Sequence, residues 1–141
     1  MAISFSSDPP GNKQTTAKTP NRTPTLLVTD DEDVLRGLLV RILRRSEYQV
    51  LDADSAESAL DIVRRHDGKV DLLISDIHMR QMDGFHLFEK LRKTNPNMRA
   101  IFISGSSSEG GCPSGLPHAT LFLGKPFEAG ALLSAVRDAL K

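Results

Sequence analysis

From Thr25 onward the chain alternates short runs of consecutive apolar residues with longer stretches in which apolar residues recur every three or four positions. Short continuous runs bounded by turn residues read as strands buried on both faces, and the wider spacing reads as helices with one apolar face. "TLLVT" is the first such strand, and Val34, Leu35, Leu38, Leu39, Ile42 and Leu43 then line one helical face. "YQVLDA" offers a second strand. A helix from about Ser55 to His66 follows it, with Ala56, Ala59, Leu60 and Val63 turned inward and Asp54 or Ser55 as its cap. "VDLLIS" is the third strand, and Gly84 to Thr94, carrying Phe85, Phe88 and Leu91, the third helix, with Pro96 at the break after it. "AIFIS" and "ATLFL" supply a fourth and a fifth strand, and Ala129, Leu132, Leu133, Val136 and Leu140 stripe the last helix.

Strands alternating with helices at this spacing mean βαβ units, a parallel sheet and right-handed crossovers, so the fold class is α/β with a doubly wound sheet. One unit departs from the rhythm. Between "AIFIS" and "ATLFL" lies "GSSSEGGCPSGLPH", whose four glycines and two prolines oppose a regular helix. The fourth crossover is therefore expected to be short or irregular. Ahead of the first strand, Met1 to Pro24 is rich in Ser, Thr, Pro, Asn and Lys without any period, and reads as a flexible tail. Residues 25–141 form the single expected domain.

Eighteen basic residues against eighteen acidic ones leave no net charge, and nothing suggests a surface built for nucleic acid or anionic lipid. No apolar stretch is long enough to span a membrane, and the N-terminus lacks the basic segment and apolar core of a secretory signal. A cytoplasmic protein is expected. The single Cys112 cannot pair internally and reads as an incidental loop thiol, with no basic neighbour to lower its pKa.

In open parallel sheets, ligands bind beyond the carboxyl ends of the strands. The first strand runs into Asp30 and Asp31, the third into Asp76, the fourth into Ser104, and the fifth into Lys125 and Pro126. Each alone has an ordinary role: a helix cap for Asp30 or Asp31, an Asx turn for Asp76, a turn hydroxyl, a solvated loop charge. Falling together at the ends of four strands, they compose a site. Three clustered carboxylates repel one another unless a cation intervenes, and Mg²⁺ prefers such oxygen ligands while leaving room for phosphate. Lys125 adds a charge suited to a phosphate oxygen and Ser104 a hydroxyl donor. Asp76 is then the natural acceptor of a phosphoryl group, as a nucleophilic carboxylate.

The acidic pair in "LLVTDDED", the acceptor in "ISDIHMRQMDG", the hydroxyl in "FISGS" and the lysine in "GKPF" resemble, together, the receiver domain of two-component response regulators. The resemblance covers Thr25 to Lys141 and implies a five-stranded flavodoxin-like sheet of order 2-1-3-4-5. It implies that Asp76 is the phosphoacceptor, Asp31 a direct ligand of Mg²⁺ (or Mn²⁺), Asp30 a ligand acting largely through water, and the backbone carbonyl of His78 a further ligand. Ser104 becomes the switch hydroxyl, Lys125 its counter-charge, and Phe122 the aromatic that responds, although an aromatic on a strand is ordinarily core. The implied partners are a sensor histidine kinase or a histidine phosphotransfer protein as donor, and a downstream protein as receiver of the signal. The protein is then a phosphoacceptor switch rather than an enzyme with its own output domain, since the sequence stops after the last helical pattern.

Departures from the family pattern stand out in three places. Arg80 occupies the position after the acceptor-loop methionine where the family usually has proline, His78 lies two residues past the acceptor, and the glycine-rich segment replaces the fourth helix. The last of these leaves a second reading, a receiver-like scaffold that binds partners without being phosphorylated. A metal-dependent phosphohydrolase of the haloacid-dehalogenase kind ranks below both, because His78 stands where such an enzyme has its second carboxylate.

Overall fold

The computed structural model describes residues 23–66, 69–79, 82–104 and 120–141. The expected tail up to residue 22, Arg80 and the glycine-rich segment at 105–119 with Cys112 lie outside them. Among the described residues, five strands and four helices follow the predicted rhythm: β1 (Thr25–Thr29), α1 (Asp33–Arg45), β2 (Gln49–Ala53), α2 (Ala56–Arg65), β3 (Leu72–Asp76), α3 (Gly84–Arg92), β4 (Arg99–Ser104), β5 (Thr120–Gly124) and α4 (Ala129–Leu140). The strands form one parallel sheet in the order β2-β1-β3-β4-β5, as expected. Among the described residues no helix is long and apolar enough to cross a membrane.

Both faces of the sheet are covered, which is why β1 and most of β3 are buried throughout instead of alternating. On one face Leu27, Leu73, Ala100 and Phe102 pack under Ala56, Ala59 and Val63 of α2 and Leu87, Phe88 and Leu91 of α3. On the other, Leu26, Val28, Ile74, Ile101 and Ile103 meet Leu39, Val40 and Leu43 of α1 and Leu132, Val136 and Ala139 of α4. Helix starts follow local chemistry: the Ser55 hydroxyl accepts the amide of Ser58 at 3.0 Å, and the Asp83 carboxylate accepts that of His86 at 2.8 Å.

The expected stripe of α1 is corrected by the structure. Its buried face is centred on Leu39, Val40 and Leu43, whereas Val34 is 81% exposed and Leu38 45% exposed. At about 100° per residue, a face centred on Leu43 leaves Val34 and Leu38 on the far side and brings Arg36 onto the sheet-facing side. Ala129 of α4 is likewise exposed rather than inward, and Leu87 of α3 is buried where the spacing had marked only Phe85, Phe88 and Leu91.

Candidate functional site

The strand register decides which chain ends meet. Thr29 of β1 lies opposite Ser75 of β3, so the next residue of each strand, Asp30 and Asp76, emerges side by side at the carboxyl edge of the sheet. Asp30 extends the ladder by one bond, its amide donating to the carbonyl of Ala53 at 3.2 Å. Asp76 lies opposite Ile103 of β4, and Ser104 opposite Gly124 of β5. The amide of Lys125 then donates to the carbonyl of Ser104 at 2.9 Å, which ties the lysine to the end of β4. The Lys125–Pro126 peptide is cis.

Asp30, Asp31 and Asp76 each offer a carboxylate oxygen such that all three atoms lie within 4.8 Å of one another. The Lys125 ammonium stands 3.5 Å from Oδ2 of Asp76, whose side chain is only 13% exposed. The other Asp76 oxygen, Oδ1, accepts the amide of His78 at 3.1 Å. His78 itself is exposed, and Ser104 is half-buried at the end of β4. The five residues singled out at the strand ends are thus gathered on one edge of the sheet.

Asp30 is fully buried. Its Oδ1 accepts the amide of Glu32 at 2.8 Å, but its Oδ2 is buried without any hydrogen-bond partner. Burial pushes the Asp30 carboxyl above its ordinary range, and the charges of Asp76 and Asp31 push the same way, against the opposing pull of the Glu32 amide and Lys125. A buried acceptor with no donor, set among like charges, is satisfied by a hard cation or by water bound to one. The all-oxygen donor set of the three aspartates fits Mg²⁺ or Mn²⁺.

Aromatic rings continue from this edge into the core. Phe122 of β5 is 45% exposed and is not a core residue. Its ring lies 5.8 Å from that of Phe102 and 6.3 Å from that of Phe85, and Phe85 and Phe102 are 4.6 Å apart. Sequence reasoning singled out Phe122 and put Phe85 on the apolar stripe of the third helix but missed the meeting of both with Phe102, because neither strand alternation nor helical spacing reveals which face of the sheet a distant helix covers. It also missed Gly84. An added Cβ there would lie 2.6 Å from the Asp76 carbonyl oxygen and 2.8 Å from Oγ of Ser75, so α3 begins in direct contact with the end of β3.

Comparison with known proteins places this geometry. The model of the response regulator receiver domain matches residues 26–137. The chain is 39% identical over 119 residues to the sensor kinase CckA of Brucella abortus (strain 2308), covering 83% of this chain and 12% of that protein. It is 36% identical over 117 residues to the transcriptional regulatory protein GlrR of Escherichia coli (strain K12), covering 82% of this chain and 26% of that one. The chain therefore spans only about an eighth to a quarter of the length of these relatives. Among solved structures, the receiver domain of the hybrid histidine kinase CckA superposes with a TM-score of 0.70 at 34% identity, covering 83% of this chain and 99% of that one. A response regulator receiver protein from Sinorhizobium medicae WSM419 gives a TM-score of 0.75 at 27% identity, covering 84% of this chain and 94% of its own. With a family match that runs from the second residue of β1 into the last turns of α4, this chain belongs to the response regulator receiver domain family.

Proposed function

We propose that Asp76 accepts a phosphoryl group from a phosphohistidine in a Mg²⁺-dependent reaction, and that the phosphorylated receiver signals by binding a partner or by passing the phosphate on. The observation that carries this reading is the placement of one carboxylate, Asp76, among two others within 4.8 Å and beside an ammonium at 3.5 Å. An Asp76 oxygen attacks phosphorus, the P–N bond of the donor breaks with its electron pair leaving on the imidazole, and an acyl phosphate forms. Such a transfer needs positioning and charge neutralisation more than further covalent help from the protein. Asp31 and Asp76 are the direct metal ligands in this reading, Asp30 acts largely through water, and the main-chain carbonyl of His78 completes the protein's share. Mg²⁺, or Mn²⁺ in its place, supplies the positive charge that offsets the phosphoryl oxygens. Lys125 pairs with one of those oxygens, Ser104 donates its hydroxyl to another, and Phe122 follows the change from its half-exposed position.

The donor is a sensor histidine kinase or a histidine phosphotransfer protein, and the setting is cytoplasmic. Two apolar side chains support a docking site for that donor. Val34 and Leu38 stand exposed one helical turn apart on α1, immediately after the acidic pair. A donor histidine brought to Asp76 must approach over this edge, and an apolar row beside the site is suited to hold it.

Intact-protein mass measurement after incubation with Mg²⁺ and acetyl phosphate tests the chemistry. A single phosphoryl adduct is expected, absent in Asp76→Ala and absent when the metal is chelated. No adduct with acetyl phosphate or with a phosphoramidate donor would overturn the switch and leave a protein-binding scaffold.

A further inference from the structure

We propose that Arg36 is the positioning residue of the metal site: its guanidinium fixes the peptide that joins Asp30 to Asp31, and so the direction in which both carboxylates are presented. The proposal rests on the metal reading above and assigns a role to a residue outside the acidic cluster. Arg36 lies on the sheet-facing side of α1, and its side chain is only 17% exposed. Arginine there is not a solvated surface charge. One terminal nitrogen, Nη1, donates to the carbonyl oxygen of Asp30 at 2.8 Å. The other, Nη2, donates to Oδ1 of Asp33 at 2.7 Å, and Nε donates to Oδ2 of Asp52 on β2 at 3.3 Å.

These three bonds have different jobs. The carbonyl of Asp30 belongs to the same planar peptide unit as the amide of Asp31, so a donor on that oxygen restrains rotation of the whole unit. The amide of Asp30 is already held by Ala53 of β2. With both its peptide groups engaged, Asp30 cannot turn without breaking a bond to β2 or to Arg36. The contacts to Asp33 and Asp52 hold the guanidinium itself, one from its own helix and one from the neighbouring strand. A rigid fork of donors can serve three acceptors in fixed directions, which a lysine ammonium cannot. Groups that orient metal ligands without touching the metal commonly change affinity by about 10- to 100-fold when removed.

The test exploits a conflict of signs. On Coulomb grounds alone, removing a cation near a cation site tightens metal binding, whereas loss of positioning weakens it. Mn²⁺ is titrated into the wild-type chain, Arg36→Met and Arg36→Lys, with free Mn²⁺ followed by electron paramagnetic resonance and folding checked by urea denaturation in chelator. Both variants are expected to bind Mn²⁺ about tenfold more weakly, and their phosphorylation by acetyl phosphate to recover at saturating Mg²⁺. Unchanged or tighter binding in either folded variant overturns the proposal, and Arg36→Lys decides the matter should Arg36→Met fail to fold. A wild-type chain that binds no Mn²⁺ overturns the metal reading beneath it, a result distinct from any difference between variants.

Discussion

Gly84 shows how much a single absent atom contributes at this site. Its amide donates to the carbonyl of Ile77 at 2.9 Å, closing the acceptor loop onto the start of α3, and a methyl group in its place would collide with the Asp76 backbone. The colliding atom is a main-chain carbonyl oxygen in a paired strand, which cannot swing aside as a side chain would. Gly84→Ala is expected to lower stability by roughly 1–3 kcal/mol in urea denaturation and to slow phosphorylation of Asp76 by acetyl phosphate. Asp30 is the opposite case, a group whose presence costs stability. Because its carboxyl is raised in the folded state by burial and by Asp76 and Asp31, the folded chain holds that proton to higher pH than the unfolded chain does. Stability from this group therefore falls as pH rises from the ordinary 3.8 through the raised value. Asp30→Asn keeps an oxygen for the Glu32 amide while removing the charge. It is expected to raise the urea midpoint at pH 7, to steepen the acid limb of the stability profile, and to weaken metal binding. A midpoint that falls instead would show that the buried charge is compensated within the fold.

At the scale of elements, the helices were legible where a cap or a sharp apolar stripe marked them. Ser55 was one of two candidates for the cap of α2, and its hydroxyl makes the bond to Ser58. Ser55→Ala is expected to cost about 1 kcal/mol in thermal unfolding and to leave phosphorylation unchanged, since α2 contributes no carboxylate to the cluster. The stripe of α1 was legible only in part. Seven apolar residues crowd the helix, more than one face holds, and the spacing alone does not say which of them the sheet covers. The sheet takes Leu39, Val40 and Leu43 and leaves Val34 and Leu38 outside. Leu38→Asp therefore touches no core. It is expected to leave the unfolding free energy in urea within about 0.5 kcal/mol and the acetyl phosphate reaction intact, while slowing transfer from a phosphohistidine protein. Equal slowing with both donors would place the defect in the site and not in docking.

For the molecule as a whole, the sheet edge couples metal binding to stability. A ligand that binds only the folded chain stabilises it by about 2.7 kcal/mol when its free concentration is one hundred times its dissociation constant. Wild-type protein is expected to gain in urea midpoint with added Mg²⁺, and a chain carrying both Asp31→Asn and Asp76→Asn to gain little. A comparable gain in that variant would move the metal elsewhere. The parallel sheet and the carboxyl edge carrying Asp30, Asp31, Asp76, Ser104 and Lys125 were determined by sequence alone, and the order of strands was implied by the family resemblance. Strand runs, turn residues and the right-handed crossover rule are local or nearly universal, so they can be read without coordinates. Tertiary structure alone decided the register of Thr29 against Ser75 that sets Asp30 beside Asp76, the burial that leaves Asp30 Oδ2 without a partner, the approach of Gly84 to the end of β3, and the three acceptors of Arg36. Each of these joins groups on different elements, and their separation in space is set by packing across the whole sheet, to which no single stretch of the sequence refers.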